Sequence, residues 1–339
     1  MSAFFDAETA CIYENKIYMF GSTINILYCV DIEEGKVEIL GNIPGYNLCS
    51  SKLVGKLLIY KEKIILLPFN ADNVWIYNLH SNNWTEVKLE GNSVHCEKFY
   101  QGFLEKNKVH AIGCRYPAIV VIDLDTFKVT YNKKIYNKIN QVVSDDGIYF
   151  RTEYIREDNK IKMGCCKLNG IFEYNLSSGD ADFIECGKKG FCYEGITQLQ
   201  GSVQLVGRKI NASYILDNEN LIEHIWPDNL TCHYLAYILK DNLHIYLSSL
   251  AGRSFFYNGK YNELEEKAYF CEKVDEKNFI YMNQKGEIIV SREGEIKVIN
   301  MDVNFDKVTK MLNARLGYAD TIKETDAINL NNFIQTICF

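Results

Sequence analysis

The sequence predicts an all-β fold, a closed β-propeller of about seven four-stranded blades, with six or eight as the alternatives, ending in a short helical tail. Three observations carry the prediction. A short apolar segment recurs at residues 17–21, 64–68, 109–113, 148–150, 203–207, 243–247 and 279–282, at intervals of about 36 to 55 residues, the range of propeller repeats. Each is flanked by further strand-like runs separated by polar or glycine-bearing turns. The chain also carries 23 Tyr and 18 Phe, residues that suit pleated, half-buried surfaces.

In chain order, each recurring segment is the second strand, b, of a repeat. A first strand, a, precedes it at 9–13, 52–60, 99–104, 193–199 and 233–239. Strands c and d follow within 27–40, 74–89, 119–132, 171–186, 213–226, 254–267 and 287–300. The c–d connections have hairpin chemistry, as in Glu33-Glu34-Gly35, His80-Ser81-Asn82-Asn83, Ser177-Ser178-Gly179 and Arg292-Glu293-Gly294. Four strands per repeat arranged radially leave few exposed sheet edges. No long amphipathic helix is expected before residue 309, which excludes helical solenoids.

The domain division is therefore a propeller over 1–308 and a tail over 309–339. In the tail, Leu330, Phe333, Ile334 and Ile337 fall at i, i+3, i+4 and i+7, predicting a helix that starts near Asp320 or Thr325 and docks on the propeller or joins two copies. Residues 3–6 are candidates for an added strand that closes the ring.

The run Val74-Trp75-Ile76-Tyr77-Asn78-Leu79, followed by Asn82-Asn83-Trp84-Thr85, resembles the Kelch repeat, including the repeats of the galactose-oxidase central domain. In that family a third strand ends in Tyr-Asp or similar, and a Trp after the turn packs between blades. Weaker echoes are Val30-Asp31-Ile32, Val121-Ile122-Asp123-Leu124 and Glu173-Tyr174-Asn175-Leu176. The Gly-Gly pair of the family is reduced to one glycine at Gly21, Gly113 and Gly207. The resemblance implies a propeller that binds substrates or partner peptides over the mouth of its channel.

Composition narrows the function. A formal net charge of -7 without a polybasic run argues against nucleic-acid binding. No stretch reaches the ~18 apolar residues of a membrane span, and the first ten residues lack a secretory pattern, so the expected location is cytoplasmic. The 12 cysteines lie in strand-like segments and are expected to be small buried hydrophobes. Neither metal-ligand spacing nor a nucleotide-binding glycine loop occurs, so no metal and no cofactor are expected.

The b–c loops and d–a links share one face, the expected ligand site. Arg115, Arg151 and Arg208 stand at or beyond the ends of b strands, with Arg253 in the next b–c loop. Their planar forks suit carboxylate or phosphate, and the alternative is pairing with nearby Asp or Glu. Aligning the inner strands brings Glu8, Tyr100, Glu194 and Tyr234 to equivalent places near the axis. His95 and His233 precede two of those strands beside Cys96 and Cys232, a weak acid–base or nucleophile pattern. His110 and His244 take equivalent b-strand positions and are expected to be satisfied structural histidines. The segment 152–170 is expected to be an oversized blade-four loop, a candidate lid or recognition arm, the alternative being a solvated insertion, which its charged tip 156–160 supports.

The function expected is binding or scaffolding of a peptide, protein, or small anionic or carbohydrate ligand on this face. The alternative is a carbohydrate-active enzyme (lyase, epimerase or hydrolase) acting at the channel mouth. Every strong catalytic motif is missing, so the enzyme assignment stays open and leans towards none.

Overall fold

The computed structural model describes residues 4–303, apart from 92–96, 144–146, 152, 187–191, 200–201, 208–211, 218–219, 226–233, 241–242, 249–253, 258–259, 274–277 and 293. The predicted tail, 309–339, lies outside the described residues.

The strands form seven four-stranded antiparallel sheets, each contiguous in sequence. The first holds β1 (Thr9–Tyr13), β2 (Lys16–Phe20), β3 (Leu27–Asp31) and β4 (Val37–Gly41). The second holds β5 (Val54–Tyr60), β6 (Lys63–Pro68), β7 (Val74–Asn78) and β8 (Asn83–Val87). The third holds β9 (Phe99–Glu105), β10 (Lys108–Gly113), β11 (Ile119–Asp123) and β12 (Val129–Asn132), after which comes a helix, α1 (Lys134–Val142). The fourth holds β13 (Ile155–Glu157), β14 (Lys160–Gly164), β15 (Gly170–Asn175) and β16 (Ala181–Glu185). The fifth holds β17 (Tyr193–Leu199), β18 (Ser202–Gly207), β19 (Ala212–Asp217) and β20 (Asn220–Ile225). The sixth holds β21 (Tyr234–Lys240), β22 (Leu243–Ser248), β23 (Ser254–Tyr257) and β24 (Tyr261–Leu264). The seventh holds β25 (Ala268–Lys273), β26 (Phe279–Asn283), β27 (Ile288–Arg292) and β28 (Glu295–Ile299). Inner strands meet their neighbours, β1 with β5, β5 with β9, β17 with β21, β21 with β25, and β25 with β1. The fold is an all-β propeller.

Among the described residues, hydrophobic layers sit between adjacent blades from the seventh through the first to the fifth. Ala10, Met19, Tyr28 and Val30 of blade one pack with Phe270, Ile280, Met282 and Val290 of blade seven. On the other face of blade one, Tyr18, Phe20 and Cys29 meet Leu57, Ile64, Leu66 and Tyr77. Trp84 of blade two belongs to that second layer; its ring lies 4.9 Å from Tyr77 and beside Gly41 of blade one. The inner strands come so close that a Cβ on Gly55 would stand 2.0 Å from the Phe99 carbonyl oxygen.

One end of the ring repeats in detail. The a–b hairpins of blades one to four turn on Glu14, Lys61, Lys106 and Asp158, each at positive φ, as the tight two-residue hairpin requires. At the c–d turns, Asp31, Asn78, Asp123 and Asn175 each accept two backbone N–H bonds from the residues two and three ahead. The next residue, Ile32, Leu79, Leu124 or Leu176, donates its N–H to the carbonyl of the a–b turn. The recurring Asx-Leu or Asx-Ile pair thus ties the two turns of each blade together, and it is what the Tyr-Asp-like echoes in the sequence mark.

Blade four departs from the sequence expectation. Its b strand is β14, not 148–150, and the expected loop 152–170 is largely the β13–β14 hairpin. Residues 148–150 are apolar because they are buried beside α1 at the seam with blade three, a demand that needs no strand. Ile161 and Met163 of β14 alternate inward, a short signal masked by the flanking lysines. The tip, 156–160, is exposed as expected, and from it Arg156 reaches blade three, donating to the Leu104 carbonyl at 3.0 Å and pairing with Glu105.

α1 is a second departure. Ile135 and Ile139 fall one turn apart, and with Tyr136 they are buried between blades three and four. Nine residues with only three buried positions leave little periodic signal.

Closure involves both chain ends. Phe4 forms a β-bridge and packs against Tyr269. The chain beyond β28 completes the ring, with Asp302 donating to the Gly35 carbonyl at 2.8 Å and accepting from Val37 at 3.1 Å.

Candidate functional site

The end opposite the repeating turns is held by a different backbone pattern. In blades two to four a residue leading into the inner strand is stitched between the b-strand ends of two blades. Lys52 donates to the Ser22 carbonyl and accepts from Asn70, Lys98 donates to Phe69 and accepts from Cys114, and Tyr149 donates to Cys114 and accepts from Cys166. Lys267 accepts from Gln284 in the same way. This scaffold fixes the backbone of the loop end while leaving its side chains free to differ.

Four unlike side chains converge there, one from each of the first four blades. The Arg151 guanidinium lies 5.4 Å from the centre of the Tyr100 ring, a cation–π distance. Phe69 lies edge-on to that ring at 4.7 Å. Glu8, half-buried at the start of β1, lies in the electrostatic field of Lys52 and Arg151. Burial, helped by the nearby Asp6 carboxylate, raises the Glu8 pKa above the usual carboxylate range despite those two cations. Burial likewise pushes the Tyr100 phenol up, with Glu8 adding to the shift and Arg151 opposing it. The mouth therefore offers a neutral phenol, a carboxyl that resists ionisation and two cations. Asp6 is buried and accepts from the Ser22 hydroxyl at 2.8 Å, which ties the first link to the b–c loop of its own blade.

Deeper in the channel a second polar group spans three blades. Glu272 of β25 accepts from Thr9 of β1 at 2.6 Å and pairs with Lys56 of β5. Thr9 accepts in turn from the Leu57 N–H at 3.1 Å. Burial works to lower the Lys56 pKa, but Glu272 more than offsets it and Lys56 stays charged. Tyr154, leading into β13, feels both charges. A cavity of about 780 Å³ adjoins this group, lined by Cys11, Lys56, Glu272, Ser291 and Arg292. Burial, with Glu272 adding, pushes the Cys11 thiol up to about 12, so it is not a thiolate nucleophile at neutral pH.

The sequence expectations divide as follows. Glu8, Tyr100 and Arg151 come together at one mouth. Arg151 arrives there from the link before β13 and not from the end of a b strand, because blade four begins later in the chain than expected. Arg115 is ion-paired with Glu97 at 2.5 Å, the alternative weighed for it. Glu194 and Tyr234 lie in the inner strands β17 and β21, their side chains outside the described set. His95, His233, Arg208 and Arg253 lie outside the described residues. His110 is buried and stacked on Phe103 at 5.0 Å, yet its Nδ1 has no hydrogen-bond partner, so it is not the satisfied histidine expected. Lys52, Lys56 and Glu272 were missed; the lysine recurring before inner strands at Lys52, Lys98 and Lys267 is the signal for the first. Among the described residues no cluster of His, Cys, Asp or Glu could hold a metal ion.

No family model matches the chain, and no curated protein matches it. Solved structures do. A catalytically inactive virginiamycin B lyase from Staphylococcus aureus, in a structure with quinupristin, is similar with a TM-score of 0.63 and 12% identity over 84% of this chain and 93% of that one. A streptogramin B lyase gives 0.58 at 14% identity, covering 89% and 94%. The computationally designed protein Ika8 gives 0.54 at 14% identity, covering 89% of each chain. At such identities the likeness shows the propeller fold alone, and function has to be argued from the site.

Proposed function

We propose that this chain is a binding propeller whose loop-end channel mouth takes an anionic ligand. One observation carries the reading: Arg151, Lys52, Tyr100 and Glu8 reach one place from four consecutive blades. The two cations attract a carboxylate or phosphate, and Tyr100 supplies an aromatic edge with a hydroxyl donor. The Kelch resemblance supports the same face, since in that family substrates and partner peptides sit over the channel mouth. Peptides and sugar acids both present such anionic groups.

The test is isothermal titration with glucuronate, using glucose as the neutral control. Saturable glucuronate binding that weakens about tenfold in Arg151→Gln is expected, a change equivalent to ~1.4 kcal/mol. Equal binding of the two sugars, or an unchanged affinity in Arg151→Gln, overturns the anionic reading.

A carbohydrate-active enzyme at the same mouth is a second reading, favoured by the raised pKa of Glu8 opposite Tyr100, which suits a general acid. It requires that Glu8→Gln abolish turnover of a uronide while leaving glucuronate binding intact.

A further inference from the structure

We propose that the groove between blades three and four, at the turn end of the ring, is a binding site for a small polyanion of the phosphate-ester kind. The groove encloses about 820 Å³, within the ~300–1,000 Å³ of small-molecule sites. Lys106 and Lys108 enter it from the β9–β10 hairpin, Lys133 and Lys134 from the start of α1, Ser177 from the c–d turn of blade four, and His110 from β10. In a chain of net charge -7, four ammonium groups in one concavity stand out.

One of the four charges is paired within the protein, and the other three are not. Asp180 holds Lys134 at 2.5 Å, and Glu105, which also lines the groove, is held by Arg156. Among the described residues no carboxylate is in ion-pair contact with Lys106, Lys108 or Lys133. Asp123 acts on Lys108 from a distance, and one of its oxygens is committed to its turn. α1 opens on Lys133 with no acidic residue in its first turn; of its first N–H groups, that of Lys134 donates to the Asn132 side chain at 3.1 Å.

His110 is the independent sign of a missing partner. It is 4% exposed, it lines the groove, and its Nδ1 is without a hydrogen-bond partner; such orphans are costly in a fold. A bound oxyanion would accept from the imidazole and be neutralised by the lysines. Lysine point charges without a guanidinium fork favour compact, charge-dense phosphate over planar carboxylate.

The probe is inorganic tripolyphosphate, with citrate as the carboxylate comparison, titrated by calorimetry and followed by imidazole NMR. Saturable tripolyphosphate binding with a Kd of roughly 10–100 µM is expected. It should weaken at least about tenfold when Lys106, Lys108 and Lys133 are all changed to Gln. It should shift the His110 ring signals and survive in Arg151→Gln, which separates it from the loop-end mouth. The three lysines are exposed, and if the triple variant melts early, Lys106→Gln and Lys133→Gln are measured singly, each weakening binding. Absence of saturable binding, loss of binding in Arg151→Gln with the lysine variants unaffected, or citrate binding as tightly as tripolyphosphate overturns the proposal.

Discussion

The two ends of this propeller are built on opposite rules. At the turn end, blades one to four use the same device: an Asx side chain caps the c–d turn, and the following Leu or Ile donates to the a–b turn. At the loop end the backbone stitches repeat too, but the side chains gathered beside them at the mouth are a glutamate, a lysine, a tyrosine and an arginine. Repetition is what stability asks of each blade, whereas a site needs different groups at one point. Changes at the turn end should therefore lower stability and spare loop-end binding, and changes at the loop end should do the reverse.

The largest expected effect falls between the ends, at the clasp through which Glu272 joins blades seven, one and two. Glu272→Ala leaves a buried ammonium unpaired and removes the acceptor of Thr9, which should cost about 3–5 kcal/mol in urea unfolding. The double change Glu272→Leu with Lys56→Met should recover most of that loss, because apolar side chains of similar volume need no partner. A double variant as unstable as the single one would show that the clasp acts through shape and not charge.

His110 comes next, and it tests whether the turn end is structural throughout. Burial first, and then Lys108, lower its pKa from 6.5 to about 4. The folded state keeps the ring neutral while the unfolded chain takes up a proton, so stability is intact above pH 6.5 and falls as pH drops towards 4. The loss attributable to this ring is ~3 kcal/mol. His110→Phe, which keeps the stack on Phe103, should remove that component, so that its stability at pH 4.5 falls less from the pH 7 value than that of the unaltered chain. Parallel pH profiles would rule the mechanism out.

A single turn cap is a smaller matter. Asn78→Ala strips two backbone N–H groups of their acceptor, but water reaches both, so the expected cost is about 1 kcal/mol. Glucuronate binding should be unchanged. A loss of binding in this variant would break the division between the ends.

The same division explains what could be seen in the sequence. Blade two was legible because its apolar alternation, its Asn78-Leu79 pair and Trp84 all answer local requirements of the repeat. Blade four was not, because α1 and the buried run 148–150 answer a seam with blade three that no local pattern encodes. At the site, aligning inner strands was enough to bring Glu8 and Tyr100 together, since the repeat sets their height and radius. Arg151 reached the right place through a wrong strand assignment, and Lys56 with Glu272, 216 residues apart, left no sequence trace because ring closure alone makes them neighbours.

The finest test of the loop end is Glu8. Its raised pKa means that the folded chain holds the proton over a range where the unfolded chain has released it, so this carboxyl favours folding at low pH, and the benefit fades as pH climbs from the ordinary carboxylate value through the raised one. Because the group is half-buried, Glu8→Gln should stabilise the fold at pH 7 by only ~0.5 kcal/mol. Its clearer signature is in binding. Ionised Glu8 opposes an anion beside Arg151, so glucuronate affinity should decline as pH rises through the Glu8 pKa, and Glu8→Gln should flatten that decline and tighten binding at pH 7 by about threefold. A decline that persists unchanged in Glu8→Gln would mean that the anion does not sit at this mouth, and the loop end would lose its claim to be the functional one.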